Sequence, residues 1–226
     1  MDDGQPTLLL TRPEPQSKAF LALCEKRVGH QISAVISPVI DIEPLGEPPD
    51  LDGFETVILT SGNGVRRLAA DLADRTVVTV GEQTAALARE FGAEARALGQ
   101  DVDDFLNRAG TIRGPALFCR GVHSRGDLAP RLAALGLEVT EAVVYDQKSR
   151  PLSPDARTLL SARTPLIAPV FSPRSAALLS RYPINAPFLV LAISDAVKTA
   201  WKSGGDIRVA EAPTQAAMCD LVARAL

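Results

Sequence analysis

One spacing of cysteine and arginine in this chain matches a catalytic pattern. Cys119 and Arg125 have the C-x5-R spacing of cysteine-dependent phosphatases, after a predicted strand (Pro115–Phe118) and before a predicted helix (Leu128–Leu135). That chemistry needs a thiolate held by backbone N–H groups and an arginine that binds phosphate through two hydrogen bonds. Such loops usually carry Ser or Thr after the arginine, whereas Gly126 follows here. A phosphatase that uses Cys119 and Arg125 is therefore retained as an alternative function.

Other common catalytic and cofactor-binding patterns are incomplete or missing. The segment Gly62–Gly64 begins like a dinucleotide-binding loop, but Arg67 stands where the third glycine belongs. His30 and His123 have no partners at the spacing that a metal site needs. The sequence has neither a G-x-S-x-G nucleophile motif nor a phosphate-binding P-loop. We therefore expect no metal and no cofactor.

Small polar residues fall in the turns between predicted strands and helices. In open α/β sheets these turns lie at the carboxyl ends of the strands, where ligands bind, and they present helix N–H groups to anions. Ser and Thr also cap helix N-termini, which is enough to explain any single turn. Because the turns recur in both halves of the chain, we expect them to share a role in ligand binding. The residues concerned are Thr60, Ser61, Gly81, Thr84, Ser172 and Ser194.

Two larger side chains are further candidates. Arg12 ends the first predicted strand just before Pro13, so its backbone is extended and its side chain can project towards a ligand. A solvated surface arginine is the competing interpretation. Tyr145 ends the apolar run Val143–Tyr145, where the chain is expected to pass from one half to the other. A tyrosine of the core or of an edge strand is the competing interpretation there.

The elements that must position these residues alternate between short apolar strands and amphipathic helices. This alternation predicts α/β units with largely parallel sheets. The strands are predicted at Thr7–Leu10, Val35–Ile40, Thr56–Leu59 and Val77–Val80. The helices are predicted at Ser17–Arg27, Val65–Leu72, Thr84–Phe91 and Asp101–Arg108.

A weak internal repeat predicts two similar lobes. Residues 57–62 resemble residues 168–173, and residues 78–85 resemble residues 190–197 at nearly the same offset. The opening unit of strand, polar turn, helix and glycine at residues 8–29 is likewise repeated at residues 116–136. Two lobes create a cleft, and clefts between domains are favoured ligand sites.

Composition and charge exclude several classes of protein. Of the 226 residues, 46% are hydrophobic and 23% are charged, so the chain can bury a core. A net charge of −3 gives no overall electrostatic basis for binding nucleic acid. The longest apolar run, Phe188–Ile193, is far too short to span a bilayer, and the acidic start at Met1–Asp3 is unlike a signal peptide. Three widely spaced cysteines fit no disulfide framework, so we expect a cytoplasmic protein.

Several of these segments together identify a family resemblance. The chain resembles uroporphyrinogen-III synthase of tetrapyrrole biosynthesis, and the matching motifs follow the family's order from residue 8 to residue 214. They are Leu9–Pro13, Ser37–Ile40, Ile58–Ser61 with Asn63–Val65, Val80–Ala85, Val143–Tyr145, Phe171–Ser175 and Ala212–Thr214.

The resemblance implies a fold of two similar flavodoxin-like α/β lobes with parallel sheets, joined by a two-strand linker. Residues 1–39 with 151–226 would form one lobe and residues 46–142 the other. The crossings between them would be residues 40–45 and 143–150. The resemblance further implies a monomer that uses no cofactor and no metal, and the charge and the short apolar runs described above argue against a nucleic-acid or membrane partner.

The implied reaction is the cyclisation of hydroxymethylbilane to uroporphyrinogen III, with inversion of ring D and loss of water. By resemblance, Tyr145 assists departure of the hydroxyl group. Arg12, the polar turns and Thr214 of the last matching segment would hold the substrate's carboxylates. A non-catalytic two-lobed binding module remains a second alternative beside the phosphatase.

Overall fold

A computed structural model of the chain describes residues 5–123 and 127–226. The helices in this part of the chain are α1 (Glu14–Val28), α2 (Gly62–Arg67), α3 (Glu82–Glu90), α4 (Val102–Asn107), α5 (Leu128–Ala134), α6 (Pro154–Ser161), α7 (Pro173–Leu179), α8 (Asp195–Ala200) and α9 (Gln215–Ala223). The strands are β1 (Thr7–Leu10), β2 (Ala34–Ile36), β3 (Ile40–Pro44), β4 (Thr56–Leu59), β5 (Thr76–Thr79), β6 (Glu94–Ala97), β7 (Ala116–Gly121), β8 (Val139–Ser149), β9 (Leu166–Val170), β10 (Phe188–Ala192) and β11 (Asp206–Val209).

The chain divides into two compact units. Unit 1 comprises Met1–Asp41 and Lys148–Leu226, and unit 2 comprises Ile42–Gln147. Unit 1 contains a five-stranded sheet in the order β11-β10-β9-β1-β2. The second sheet has six strands in the order β3-β8-β7-β4-β5-β6. The pairings among β1, β2, β9, β10 and β11, and those among β4, β5, β6, β7 and β8, are all parallel.

The two sheets share the same spatial order of five strands, but the chain enters that order at a different strand in each sheet. In unit 1 the pair β1–β2, joined through α1, lies beside the run β9-β10-β11. In unit 2 the pair β7–β8, joined through α5, lies beside the run β4-β5-β6. Both arrangements have the 2-1-3-4-5 order of flavodoxin-like sheets, except that the strand pair comes first in unit 1 and last in unit 2. This is the structural form of the internal repeat in the sequence.

Helices on both faces bury the central strands. Three consecutive leucines of β1, Leu8 to Leu10, are buried, as expected for a parallel strand covered on two sides. In unit 2 alternate residues divide between two apolar clusters: Val57 and Leu59 belong to one, and Ile58 belongs to the other. Period-two alternation of this kind places each cluster on one face of the sheet.

Several elements differ from the sequence-based prediction. The strand predicted to end at Phe118 continues to Gly121 as part of β7, so Cys119 lies in a strand rather than in a loop. The predicted helix over 65–72 begins instead at Gly62 and ends at Arg67, followed by a 3-10 turn at Ala69–Asp71. The strand predicted over 35–40 is split into β2 and β3. Pro38, which has no backbone N–H to donate to a ladder, lies in the break.

Candidate active site

The polar turns of unit 2 meet where the strand order of its sheet reverses. From β4 the chain continues to β5 on one side, and from β7 it continues to β8 on the other. In open α/β sheets ligands bind at such a point, outside the carboxyl ends of the strands. Thr60 and Ser61 follow β4 directly, and Gly121 is the last residue of β7.

Tyr145 reaches this point from the neighbouring strand β8. Its phenol oxygen lies 2.7 Å from Oγ of Ser61, and its side chain is almost fully buried. Because β7 separates β8 from β4, the ring has to pass over β7 to make this contact. It passes at Gly121, where a Cβ atom would lie 2.5 Å from Cε2 of the tyrosine. The absence of a side chain at Gly121 is therefore a condition for the contact between Tyr145 and Ser61.

A register shift in the β7–β8 ladder determines which way the side chain of Tyr145 points. Arg120 pairs with Val143, but the next residue, Gly121, pairs with Tyr145, so Val144 is an extra residue in β8. As a consequence Val144 and Tyr145, although consecutive, are both buried in the same apolar cluster. Bulges of this kind redirect side chains and are frequent beside active sites.

The environment of Tyr145 keeps its phenol neutral. Burial raises the pKa of Tyr145, and hydrogen bonds with the Ser61 side chain and the Gly121 backbone oppose that shift without cancelling it. At neutral pH the hydroxyl is therefore protonated and can donate a hydrogen bond or a proton. The arrangement supplies an uncharged donor in a nearly water-free position.

The other predicted residues of unit 2 lie in the same row of strand ends. Gly81 is the N-cap of α3 after β5, and the backbone N–H of Thr84 donates to its carbonyl at 3.1 Å. Ser61 is the N-cap of α2, and its Oγ accepts from the N–H of Gly64 at 3.4 Å. Of the predicted residues in this unit, Ser61 and Tyr145 are the two whose side chains are hydrogen-bonded to each other.

In unit 1 the predicted residues lie at the corresponding strand ends. Arg12 follows β1, and its guanidinium carbon lies 4.2 Å from the ring centroid of Phe171, which follows β9. Oγ of Ser172 accepts from the N–H of Ser175 at 3.0 Å, and Oγ1 of Thr214 accepts from the N–H of Ala217 at 3.2 Å. These two hydroxyls therefore act as helix caps. Ser194 is the N-cap of α8 and makes no capping bond through its side chain.

Comparisons with known proteins identify the family of the chain. The sequence model of the family described as uroporphyrinogen-III synthase HemD matches residues 22–220. The chain belongs to the uroporphyrinogen-III synthase family. Members of that family are cyclising lyases of tetrapyrrole biosynthesis, and this chain is one of them, as its sequence motifs predicted. No curated protein sequence matches the chain.

Two solved structures are similar over nearly their whole length. The uroporphyrinogen-III synthetase from Helicobacter pylori has a TM-score of 0.65 at 15% identity, and the match covers 98% of this chain and 100% of that one. A mutant uroporphyrinogen III synthase from Thermus thermophilus has a TM-score of 0.54 at 17% identity, covering 97% of this chain and 98% of that one. At these identities the likeness shows the fold, and it confirms the predicted α/β class.

The phosphatase alternative fails at its nucleophile. Cys119 is 1% exposed within β7, where it pairs with Leu59 and Ala142 on the flanking strands. Burial raises the pKa of the Cys119 thiol to about 12, so the thiolate that a phosphatase needs is not formed at neutral pH. Arg125, the other half of the motif, lies outside the described residues.

Sequence reasoning missed two features of this synthase. It gave Gly121 no role, because nothing in a strand-terminal glycine reveals that a ring from the next strand lies over it. It also found no metal-site partner for His123 and did not foresee its approach to Asp146, in which Nε2 of His123 lies 3.5 Å from Oδ1 of Asp146. Within the described part of the chain, no group of three or more His, Cys, Asp or Glu residues could hold a metal ion, and no helix is both long and apolar enough to cross a membrane.

Proposed function

We propose that Tyr145 assists the loss of the hydroxyl group from hydroxymethylbilane. Breaking that carbon–oxygen bond expels the oxygen as water once the phenol supplies a proton, and it leaves a protonated azafulvene. Loss of the ring N–H proton, which restores the proton of the phenolate, then gives the neutral electrophilic azafulvene. The observation that supports the proposal is a buried phenol, kept neutral by its surroundings, at the strand ends where ligands of such sheets bind. A carboxylate in this position would repel a substrate that carries eight carboxylates.

The rest of the reaction depends on positioning. Uncatalysed closure of the azafulvene gives the unrearranged isomer, so the synthase must hold ring D with its substituted carbon against the electrophile, which leads to a spiro intermediate. Orientation of this kind contributes up to about 7–11 kcal/mol to lowering a barrier. One side chain therefore need not account for the rate.

We further propose that the predicted polar residues bind the substrate's carboxylates. Arg12, Ser172, Ser194 and Thr214 would do so at the strand ends of unit 1, and Thr60, Gly81 and Thr84 at those of unit 2. What supports this is their common location after parallel strands, four of them at helix N-caps. Each charge-assisted hydrogen bond contributes about 1.5–3 kcal/mol, so several weak contacts suffice.

The enzyme is further proposed to act as a monomer in the cytoplasm, without metal or cofactor. The net charge of −3 argues against a nucleic-acid partner. Light scattering under turnover conditions measures the oligomeric state and so tests the proposed monomer. Activity that survives dialysis against EDTA and desalting supports the cofactor-free reaction, and its loss overturns that part of the proposal.

The test of the proposed role of Tyr145 is the variant Tyr145→Phe. Freshly prepared hydroxymethylbilane is incubated with enzyme, the products are oxidised, and porphyrin isomers I and III are separated. The variant should still favour isomer III, because positioning is intact, while kcat falls by up to about 10²-fold, the lower range for general acid catalysis. Full kcat in a folded Tyr145→Phe protein would refute the chemical role of the hydroxyl.

A further inference from the structure

Among the described residues, the phenol oxygen of Tyr145 has two hydrogen-bonding partners, and they differ in whether they can donate, accept or do both. The Gly121 backbone amide is a donor only, and its hydrogen bond with the tyrosine is one of the two that lower the phenol's pKa. Oγ of Ser61, at 2.7 Å, can donate or accept. The direction of the Ser61–Tyr145 bond therefore decides where the phenol's own proton points.

The environment of Ser61 favours donation to the tyrosine. As the N-cap of α2, Ser61 already uses Oγ to accept from the backbone N–H of Gly64. Oγ keeps a second lone pair, but among the described residues its O–H has no acceptor other than the phenol oxygen, so donation to Tyr145 is the arrangement that uses the Ser61 donor as well as the capping lone pair. A phenol oxygen that accepts from both Ser61 and Gly121 has its lone pairs engaged and its own O–H free to point outward.

We propose that Ser61 is a positioning residue for Tyr145 and not a ligand of a substrate carboxylate. Together with the Gly121 amide, its hydroxyl fills the acceptor positions of the phenol oxygen and directs the phenol proton towards the departing hydroxyl group. This inference rests on the proposed role of Tyr145 in that step. It gives Ser61 a function different from the one that its place in a polar turn suggested.

The two roles predict different kinetics. If Ser61 acts through Tyr145, then Ser61→Ala should lower kcat about threefold to tenfold, the equivalent of one lost hydrogen bond, and leave KM for hydroxymethylbilane unchanged. If Ser61 binds a carboxylate directly, the same change should raise KM. Ser61→Thr keeps the hydroxyl and should restore most of kcat.

The decisive measurement is a double-mutant cycle with Tyr145→Phe. Once the phenol hydroxyl is gone, Ser61→Ala should cause no further loss of kcat. Fold losses that multiply, a raised KM in both backgrounds, or wild-type kcat in Ser61→Ala would each overturn the inference. None of these outcomes is the same as full kcat in Tyr145→Phe alone, which overturns the proposed function itself.

Two controls separate positioning from loss of a helix cap. Ser61→Gly removes the hydroxyl with little penalty at an N-cap position, so it should reproduce the kinetics of Ser61→Ala with a higher melting temperature. Ser153→Ala removes an equivalent cap, in which Oγ accepts from the N–H of Ala156 at 3.2 Å, at the start of α6. It should lower the melting temperature and leave kcat and the isomer ratio unchanged. A similar loss of kcat in Ser153→Ala would mean that capping alone explains the effect of Ser61→Ala.

Discussion

Adding one methyl group at Gly121 tests the geometry of the site directly. An ideal Cβ at this position lies 2.5 Å from Cε2 of Tyr145, 2.6 Å from Cζ and 3.0 Å from the phenol oxygen. Real Cβ atoms do not approach other atoms so closely, so in Gly121→Ala the ring has to move. The ring is confined by the cluster in which it is buried, and the movement must carry the hydroxyl away from Ser61.

The cost of Gly121→Ala can be worked from two opposing terms. Overpacking a buried site destabilises a protein by about 1–3 kcal/mol. Replacing Gly by Ala inside a strand stabilises the folded state by roughly 0.5–1 kcal/mol, because the unfolded chain then has less conformational entropy to lose on folding. We therefore expect a net loss of up to about 2.5 kcal/mol in the free energy of unfolding, with a central value of about 1 kcal/mol. Displacing a catalytic group by about 1 Å can cost about 10²-fold, so kcat should fall as far as in Tyr145→Phe.

The assay combines denaturant unfolding with the isomer analysis. The matched control is Gly110→Ala, since a Cβ at Gly110 meets nothing within 4 Å and its backbone needs no left-handed conformation. In Gly121→Ala combined with Tyr145→Phe the ring still collides with the new methyl group, so the stability loss should persist. The kcat should equal that of Tyr145→Phe alone. Unchanged stability and unchanged kcat in Gly121→Ala would refute the argument that the ring passes over a position open only to glycine.

Two further predictions concern the buried thiol and the response to alkali. Cys119 should resist iodoacetamide at pH 8 in the folded protein and react on unfolding, because burial raises its pKa to about 12. Rapid labelling of the thiol in the native protein would contradict the assignment of Cys119 as a buried, unreactive residue. Cys119→Ala should still form isomer III. Burial also raises the pKa of Tyr145, so both groups ionise more readily in the unfolded chain, at about 8.5 and 10. Their contribution to stability is complete below those values and is lost as pH rises towards the folded pKa values. Denaturant midpoints should therefore fall between pH 8 and pH 11, and less steeply in Cys119→Ala; equal slopes for the two proteins would contradict the raised thiol pKa.

Local sequence was sufficient to predict one interior strand of each sheet with its bounds. The strands predicted at Thr7–Leu10 and Thr56–Leu59 have those bounds in the structure, since short apolar runs flanked by turn residues have few other solutions. The positions of the polar turns were predictable too, because each one directly follows a recognisable apolar strand. Strand β8 was harder, because exposed positions interrupt its apolar pattern and only Val143–Tyr145 was recognised.

The contact between Tyr145 and Ser61 could not be predicted from local sequence. The two residues are 84 positions apart, and they meet because β8 and β4 lie on either side of β7. The register shift after Arg120 then decides which residue of β8 faces Gly121. A shift of one residue would turn the ring to the other face of the sheet. Strand order and register are properties of the assembled sheet, so the site depends on information that spacing along the chain does not carry.

The burial that raises the pKa of Tyr145 has opposite effects on its proposed chemistry. It weakens the phenol as an acid, because the phenolate that remains after proton transfer is poorly solvated. It also keeps the hydroxyl neutral, so placing it beside a substrate with eight carboxylates adds no repulsion. The Gly121 amide and the Ser61 hydroxyl offset the first effect, since both can donate to a developing phenolate and neither brings a charge. For a leaving group that departs slowly even without catalysis, a weak neutral acid with a fixed direction is sufficient. In the proposed arrangement that direction comes from a serine and a glycine that need not touch the substrate.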